Sequence, residues 1–197
     1  MEETRPRTVG ILAFDQMEVL DYAGPYEVFN VAGEMAPDTE FAVTSIGVSP
    51  GPVTGRGGFT VVPQTSIGEA STPEVLIVPG GAGTRALLRD LTVLDWVRNA
   101  ASSADLTVSV CTGALVLAAA GLLDGRPATT HHGAFDELAA ISPSIQIVPG
   151  ERFVQSAERV WTSGGISAGI DVSLHLVGLL AGHSTRDLVV AEMEWGW

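Results

Sequence analysis

One cysteine occurs in 197 residues, and it stands where two apolar runs meet, in LTVSVCTGALVLAAAGLL from Leu106 to Leu123. The run from Leu106 to Val110 is too short for a helix and carries no charge, which fits a strand covered on both faces. Thr112 to Leu123 fits the helix that follows. A cysteine on a strand-to-helix turn feels the unpaired amides of the helix start, which lower a thiol pKa from its free value of about 8.5. The expected chemistry is nucleophilic attack and a covalent intermediate. Cys-Thr-Gly-Ala lets the backbone turn tightly, in the manner of a nucleophile elbow, without the leading glycine of that motif. Free cysteine is also among the most buried residue types, so an inert core residue fits the position equally well.

Other apolar runs end in groups that could serve such a nucleophile. Asp21 lies in the loop expected after the first strand, between Leu20 and Tyr22 and ahead of Gly24-Pro25, where its carboxylate would have little water. The competing role is a helix N-cap. Gly80-Gly81 ends another run and offers backbone N–H groups unobstructed by a Cβ, suited to an anion or oxyanion; an ordinary turn is the alternative. His131 and His132 follow a short apolar stretch, as candidates for proton transfer or as a solvent-facing pair.

These residues need a scaffold that gathers strand ends. Arg7 to Phe14, Glu40 to Ile46, Glu74 to Pro79 and Leu106 to Val110 read as strands, and VTGRGG before FTVVP as a glycine-turned hairpin. Helical periodicity resumes near Tyr26 and again after Gly83 through Arg98. PATTHHGAFDELAA reads as a short strand and a helix, QIVP and RFVQ as short strands. RVWTSGGISAGIDVSLHLVGLLAG passes from strand through glycines into a long apolar helix, and Thr185 to Glu194 forms the last helix. Strands alternating with helices imply an α/β fold with a mostly parallel sheet and helices on both faces. In such sheets reactive groups collect at the carboxyl ends of the strands.

Composition narrows the function classes. The length suits one domain over residues 1–197, with one sizeable core. Ten Lys+Arg against 23 Asp+Glu give a net charge of −13, which would repel a phosphate backbone and argues against nucleic acid as a partner. No apolar run reaches the roughly 18 residues of a membrane helix, and MEETRPRTVG carries no signal-peptide core, so a cytoplasmic protein is expected. A single cysteine supplies neither an intramolecular disulfide nor the thiolates of a structural zinc site.

LDYAGPYEVF, VPGGAG, SVCTGALVLAAAGLLDGRPATTH and TSGGISAGIDVSLHL together resemble the ThiJ/PfpI superfamily, along essentially the whole chain. The resemblance implies the flavodoxin-like, class I glutamine-amidotransferase-like fold. Asp-x-x-Gly-Pro, Cys-Thr-Gly and Ala-Thr-Thr-His look like its isonitrile hydratase branch. By that resemblance Cys111 is the nucleophile and Asp21 the acid hydrogen-bonded to it. Thr112 follows the nucleophile, the Gly81 amide faces substrate, and His131 is the histidine near the site. Hydratases more often have Thr-His-Trp where this chain has Thr-His-His, which removes an aromatic wall. A homodimer is implied, and no metal or organic cofactor is required.

The expected reaction is hydration of an isonitrile to an N-formamide through a covalent thioimidate, with Asp21 managing the protons. Glyoxalase-like or deglycase-like chemistry on methylglyoxal is the alternative enzyme class, although the acid there is usually a glutamate. The ligand-sensing half of an AraC-type regulator is the non-enzymatic alternative, expected only if this sequence is part of a longer chain in which a helix-turn-helix module follows Trp197. Thiol oxidation could coexist with catalysis. Asp15 to Leu20, Arg85 and His132 are the residues expected to set the substrate.

Overall fold

In a computed structural model, residues 5–35 and 41–196 are described. Glu40, the expected first residue of the second strand, lies outside them, as does the segment Met1–Thr4. The strands and helices run β1 (Arg7–Ala13), α1 (Val19–Met35), β2 (Phe41–Gly47), β3 (Val53–Thr54), β4 (Thr60–Val61), β5 (Thr65–Ser66) and β6 (Val75–Val78). They continue α2 (Thr84–Leu87), α3 (Leu91–Ser103), β7 (Leu106–Ser109), α4 (Gly113–Ala119), β8 (Pro127–Ala128), α5 (Phe135–Ile141) and β9 (Gln146–Ile147). β10 (Phe153–Ala157), β11 (Val160–Ser163), α6 (Ala168–Ala181) and α7 (His183–Glu192) complete the order.

Seven strands form the central sheet in the order β10-β11-β7-β6-β1-β2-β5. Every pairing is parallel except that of the edge strand β10 with β11. Helices flank the sheet: α1, α6 and α7 pack together, while α2, α3 and α5 each touch α4. β6, β7 and β11 are buried at every residue; VLIV is apolar throughout, while LTVS and VWTS bury small hydroxyl side chains along with their apolar ones. Because β1, β6, β7 and β11 are parallel neighbours, their carboxyl ends open onto one edge of the sheet. β3 and β4 form the expected hairpin.

The helix expected from Thr112 to Leu123 ends early, at Ala119, and two further elements differ from the sequence expectation. α1 begins at Val19, so Asp21 sits in its first turn and not in a loop, with Pro25 inside the helix. Proline deletes one intrahelical donor; burial of Tyr22, Pro25, Val28 and Phe29 outweighs that loss. The helix expected from Gly83 through Arg98 is two, because Asp90 starts α3 anew by accepting hydrogen bonds from the N–H groups of Thr92 and Val93. Among the described residues no helix is long and apolar enough to cross a membrane.

Candidate active site

Cys111 follows β7 with a φ of +57°, a left-handed conformation uncommon for a residue with a side chain. The fold holds it there from both sides. The Cys111 N–H donates to the carbonyls of Ser163 (3.2 Å) and Gly164 (3.1 Å) at the end of β11. Its carbonyl accepts from the Thr130 hydroxyl at 2.8 Å. The cysteine is thus fixed by two neighbouring segments, and it is 5 % exposed.

Asp21 is fully buried beside it. Oδ2 accepts from the Gly80 N–H and Oδ1 from the Ile166 N–H, each at 3.1 Å, and the Cys111 thiol donates a further hydrogen bond to the carboxylate. Asp21 is therefore no N-cap: it bridges two strand ends and meets the cysteine. Gly80 permits this approach, since a Cβ there would lie 2.8 Å from both Asp21 Oδ2 and the Cys111 Cβ.

The electrostatics follow from burial. Loss of water around Asp21 raises its pKa from 3.8 to about 7, helped by the nearby Glu18 charge and opposed by the thiol and amide donors. Burial also pushes the Cys111 thiol up, to about 12, with the Asp21 carboxylate as the second cause. This reverses the depressed thiol pKa expected from the helix start. α4 is only seven residues long and begins two residues past the cysteine, so its dipole is outweighed by desolvation and by a carboxylate in contact. Near neutral pH the thiol keeps its proton, while Asp21 passes between its protonated and ionised forms.

A cavity of about 380 Å³ opens over this pair, lined by Glu18, Arg56, Gly81, Ala82, Arg85, Cys111, Thr112, His131, Gly133, Ala134 and Ile166. Cys111, Thr112, Gly81 and His131 all line it, with Asp21 buried behind the thiol. The Gly81 N–H does not stand open to a ligand as expected: it donates to Thr112 Oγ1 at 2.9 Å, and the Thr112 hydroxyl in turn donates to the Gly81 carbonyl at 3.1 Å. His131 Nδ1 accepts from the Gly133 N–H at 3.1 Å, leaving Nε2 as the protonated nitrogen of the neutral ring. Burial first, then the His132 and Arg85 charges, lowers the pKa of His131, which favours that neutral state. His132 stacks on His131 at 4.2 Å between ring centroids but does not line the cavity.

Among the lining residues that the sequence does not single out, Arg56 and Ile166 are the two with side chains larger than a methyl group. Arg56 arrives on the β3–β4 hairpin and pairs with Glu18 at 2.6 Å, while Ile166 stands on the loop after β11. Neither carries a local signal, because only the folded hairpin and loop bring them to the cavity. Arg85 binds the Gly81 carbonyl at 3.1 Å and pairs with Glu137 of α5, fastening one wall to the other.

The DJ-1/PfpI family profile matches residues 7–179. The chain belongs to the DJ-1/PfpI family. An isonitrile hydratase of Pseudomonas putida is 38% identical over 187 residues, covering 95% of this chain and 78% of the hydratase. The crystal structure of a ThiJ/PfpI family protein from Pseudomonas syringae matches with a TM-score of 0.87 at 29% identity, covering 98% of this chain and 76% of that one. Drosophila melanogaster DJ-1beta shares the fold, with a TM-score of 0.85 at 20% identity, covering 98% of this chain and 100% of that one. Both structures place the sheet and its flanking helices in the DJ-1/PfpI arrangement.

Proposed function

We propose that this DJ-1/PfpI protein hydrates an isonitrile to an N-formamide, with Cys111 as nucleophile and Asp21 as proton carrier. The observation that carries the assignment is the buried thiol–carboxylate pair under an open cavity, with the Asp21 pKa raised to about 7. A group that titrates near the working pH both accepts and returns protons efficiently. The 38% identity to an isonitrile hydratase supports the choice of substrate class.

The steps balance with one water. Sγ bonds to the terminal isonitrile carbon while its proton passes to the Asp21 carboxylate; Asp21 then delivers that proton to the same carbon, leaving R–N=CH–S–Cys111. Water adds to this thioimidate carbon, giving up one proton through Asp21 to the substrate nitrogen. The C–S bond then breaks, its electron pair returns to sulfur, and the proton of the remaining hydroxyl passes back to the thiol as R–NH–CHO leaves. A thiol held near 12 is not idle in this scheme, because its proton leaves as the S–C bond forms. The His131 Nε2–H is assigned a hydrogen bond that orients the substrate nitrogen while keeping its own proton.

The test is a panel of one aryl isonitrile, one alkyl isonitrile and methylglyoxal on the wild type and on Cys111→Ala. Formamide from an isonitrile in the wild type and none in the variant supports the assignment. Turnover of methylglyoxal alone would replace it with glyoxalase-like or deglycase-like chemistry, and isonitrile hydration by Cys111→Ala would remove the covalent step.

A further inference from the structure

Ile166 sits in a conformation that its side chain resists. Its φ is +57°, where a β-branched residue is a genuine outlier and glycine is free of strain. The backbone has a reason to be there, since the Ile166 N–H donates to Asp21 Oδ1 at 3.1 Å. A glycine or asparagine would make the same bond more easily, so the hydrogen bond does not account for isoleucine. Core packing does not account for it either, because the residue is 36% exposed. Strain retained without a structural return points to a job for the side chain.

The cavity supplies that job. Its other lining side chains are charged, polar or no larger than a methyl group; Ile166 is the one branched aliphatic among the described residues that line it. The preceding position cannot carry hydrocarbon, because a Cβ on Gly165 would stand 2.4 Å from His131 Cδ2 and 3.4 Å from Cys111 Sγ. Position 166 is therefore the first on this loop where an apolar group can stand beside the nucleophile. We infer that Ile166 is a specificity-determining residue that packs against the hydrocarbon substituent of the substrate, a role that rests on the hydratase assignment above. The site then prefers isonitriles with a bulky apolar substituent over the smallest ones.

The experiment compares benzyl isonitrile with methyl isonitrile on the wild type, Ile166→Gly, Ile166→Asn and Ile166→Leu. Glycine and asparagine both accept the left-handed backbone and keep the N–H bond to Asp21, while leucine keeps hydrocarbon without β-branching. The expected result is a fall of about tenfold in the benzyl-to-methyl ratio of kcat/KM for the glycine and asparagine variants, carried mainly by KM. Leucine restores most of the ratio, and the melting temperature of the glycine variant is no lower than that of the wild type. An unchanged ratio, or an equal loss on both substrates, would overturn the role of Ile166 while leaving the hydratase assignment in place. A change of oligomeric state in the glycine variant with no change of ratio would overturn it too, assigning the side chain to a protein contact. A wild type that hydrates neither isonitrile would refute the assignment itself, and this inference with it.

Discussion

Asp21→Asn separates the proton chemistry of the carboxylate from its structural contacts. In the folded chain Asp21 titrates at about 7, against 3.8 when free. A raised folded pKa means that the stability is complete below pH 3.8 and is lost as pH climbs through about 7. Between pH 5.5 and about 7 the native chain keeps a proton that the unfolded chain has released, so stability falls by about 1.4 kcal/mol per pH unit, or about 2 kcal/mol in all. Asparagine has no such proton. It also has one acceptor oxygen where Asp21 uses two, for Gly80 and for Ile166, so one buried N–H faces the new amide at a cost of about 1–3 kcal/mol. Urea unfolding at pH 5.5 and 8.5 should show the variant less stable than the wild type at the lower pH, with the gap narrowing or reversing by about 2 kcal/mol at the higher. Hydration should fall by roughly 10²-fold or more at both. A stability difference independent of pH, or a near-wild-type rate, refutes the assignment of Asp21 as the raised-pKa proton carrier.

Cys111→Ala should abolish hydration and keep the fold, while losing about 1 kcal/mol at pH 8 because the Asp21 carboxylate loses its thiol donor; circular dichroism and urea unfolding check this. Iodoacetamide labelling of Cys111 should still accelerate above pH 9 in the wild type and inflect at lower pH in Asp21→Asn, since the carboxylate is one cause of the raised thiol pKa. A labelling plateau below pH 8.5 in the wild type would contradict the burial argument. Thr130→Val removes the hydroxyl that holds the Cys111 carbonyl at 2.8 Å. It should lose about 1–2 kcal/mol of stability and lower kcat more than KM, as read by denaturant unfolding and steady-state rates.

The central parallel strands are legible in the sequence for a physical reason: covered on both faces, they carry only apolar and small hydroxyl residues and no charge, and their ends mark where Gly80, Cys111 and Gly164 must stand. The start of α1 is not, because Pro25 reads locally as a helix boundary and only tertiary burial overrides it. That shift matters chemically, since it moves Asp21 from the expected loop into the first turn of α1, where it bridges Gly80 and Ile166. The thiol pKa was misread for a related reason. A helix start is visible in sequence, whereas the burial of Cys111 and its contact with Asp21 are long-range facts, and the long-range terms are the larger ones.

The hydrogen bonds around the cavity also bear on which chemistry suits it. An acyl-transfer site aims free backbone N–H groups at a developing oxyanion. Here the Gly80 and Ile166 N–H groups serve Asp21, the Gly81 N–H serves Thr112, and the Thr112 N–H serves the cysteine sulfur. An amide or ester that draws on any of these four N–H groups would have to displace one of these bonds before its oxyanion could be stabilised. An isonitrile makes no such demand in the first step: attack on its terminal carbon develops charge at carbon, which the proton carried by Asp21 cancels. The arrangement thus favours adding a thiol across one carbon over cleaving an acyl bond, and it ties the reaction to the residue whose burial sets the pH dependence of the fold.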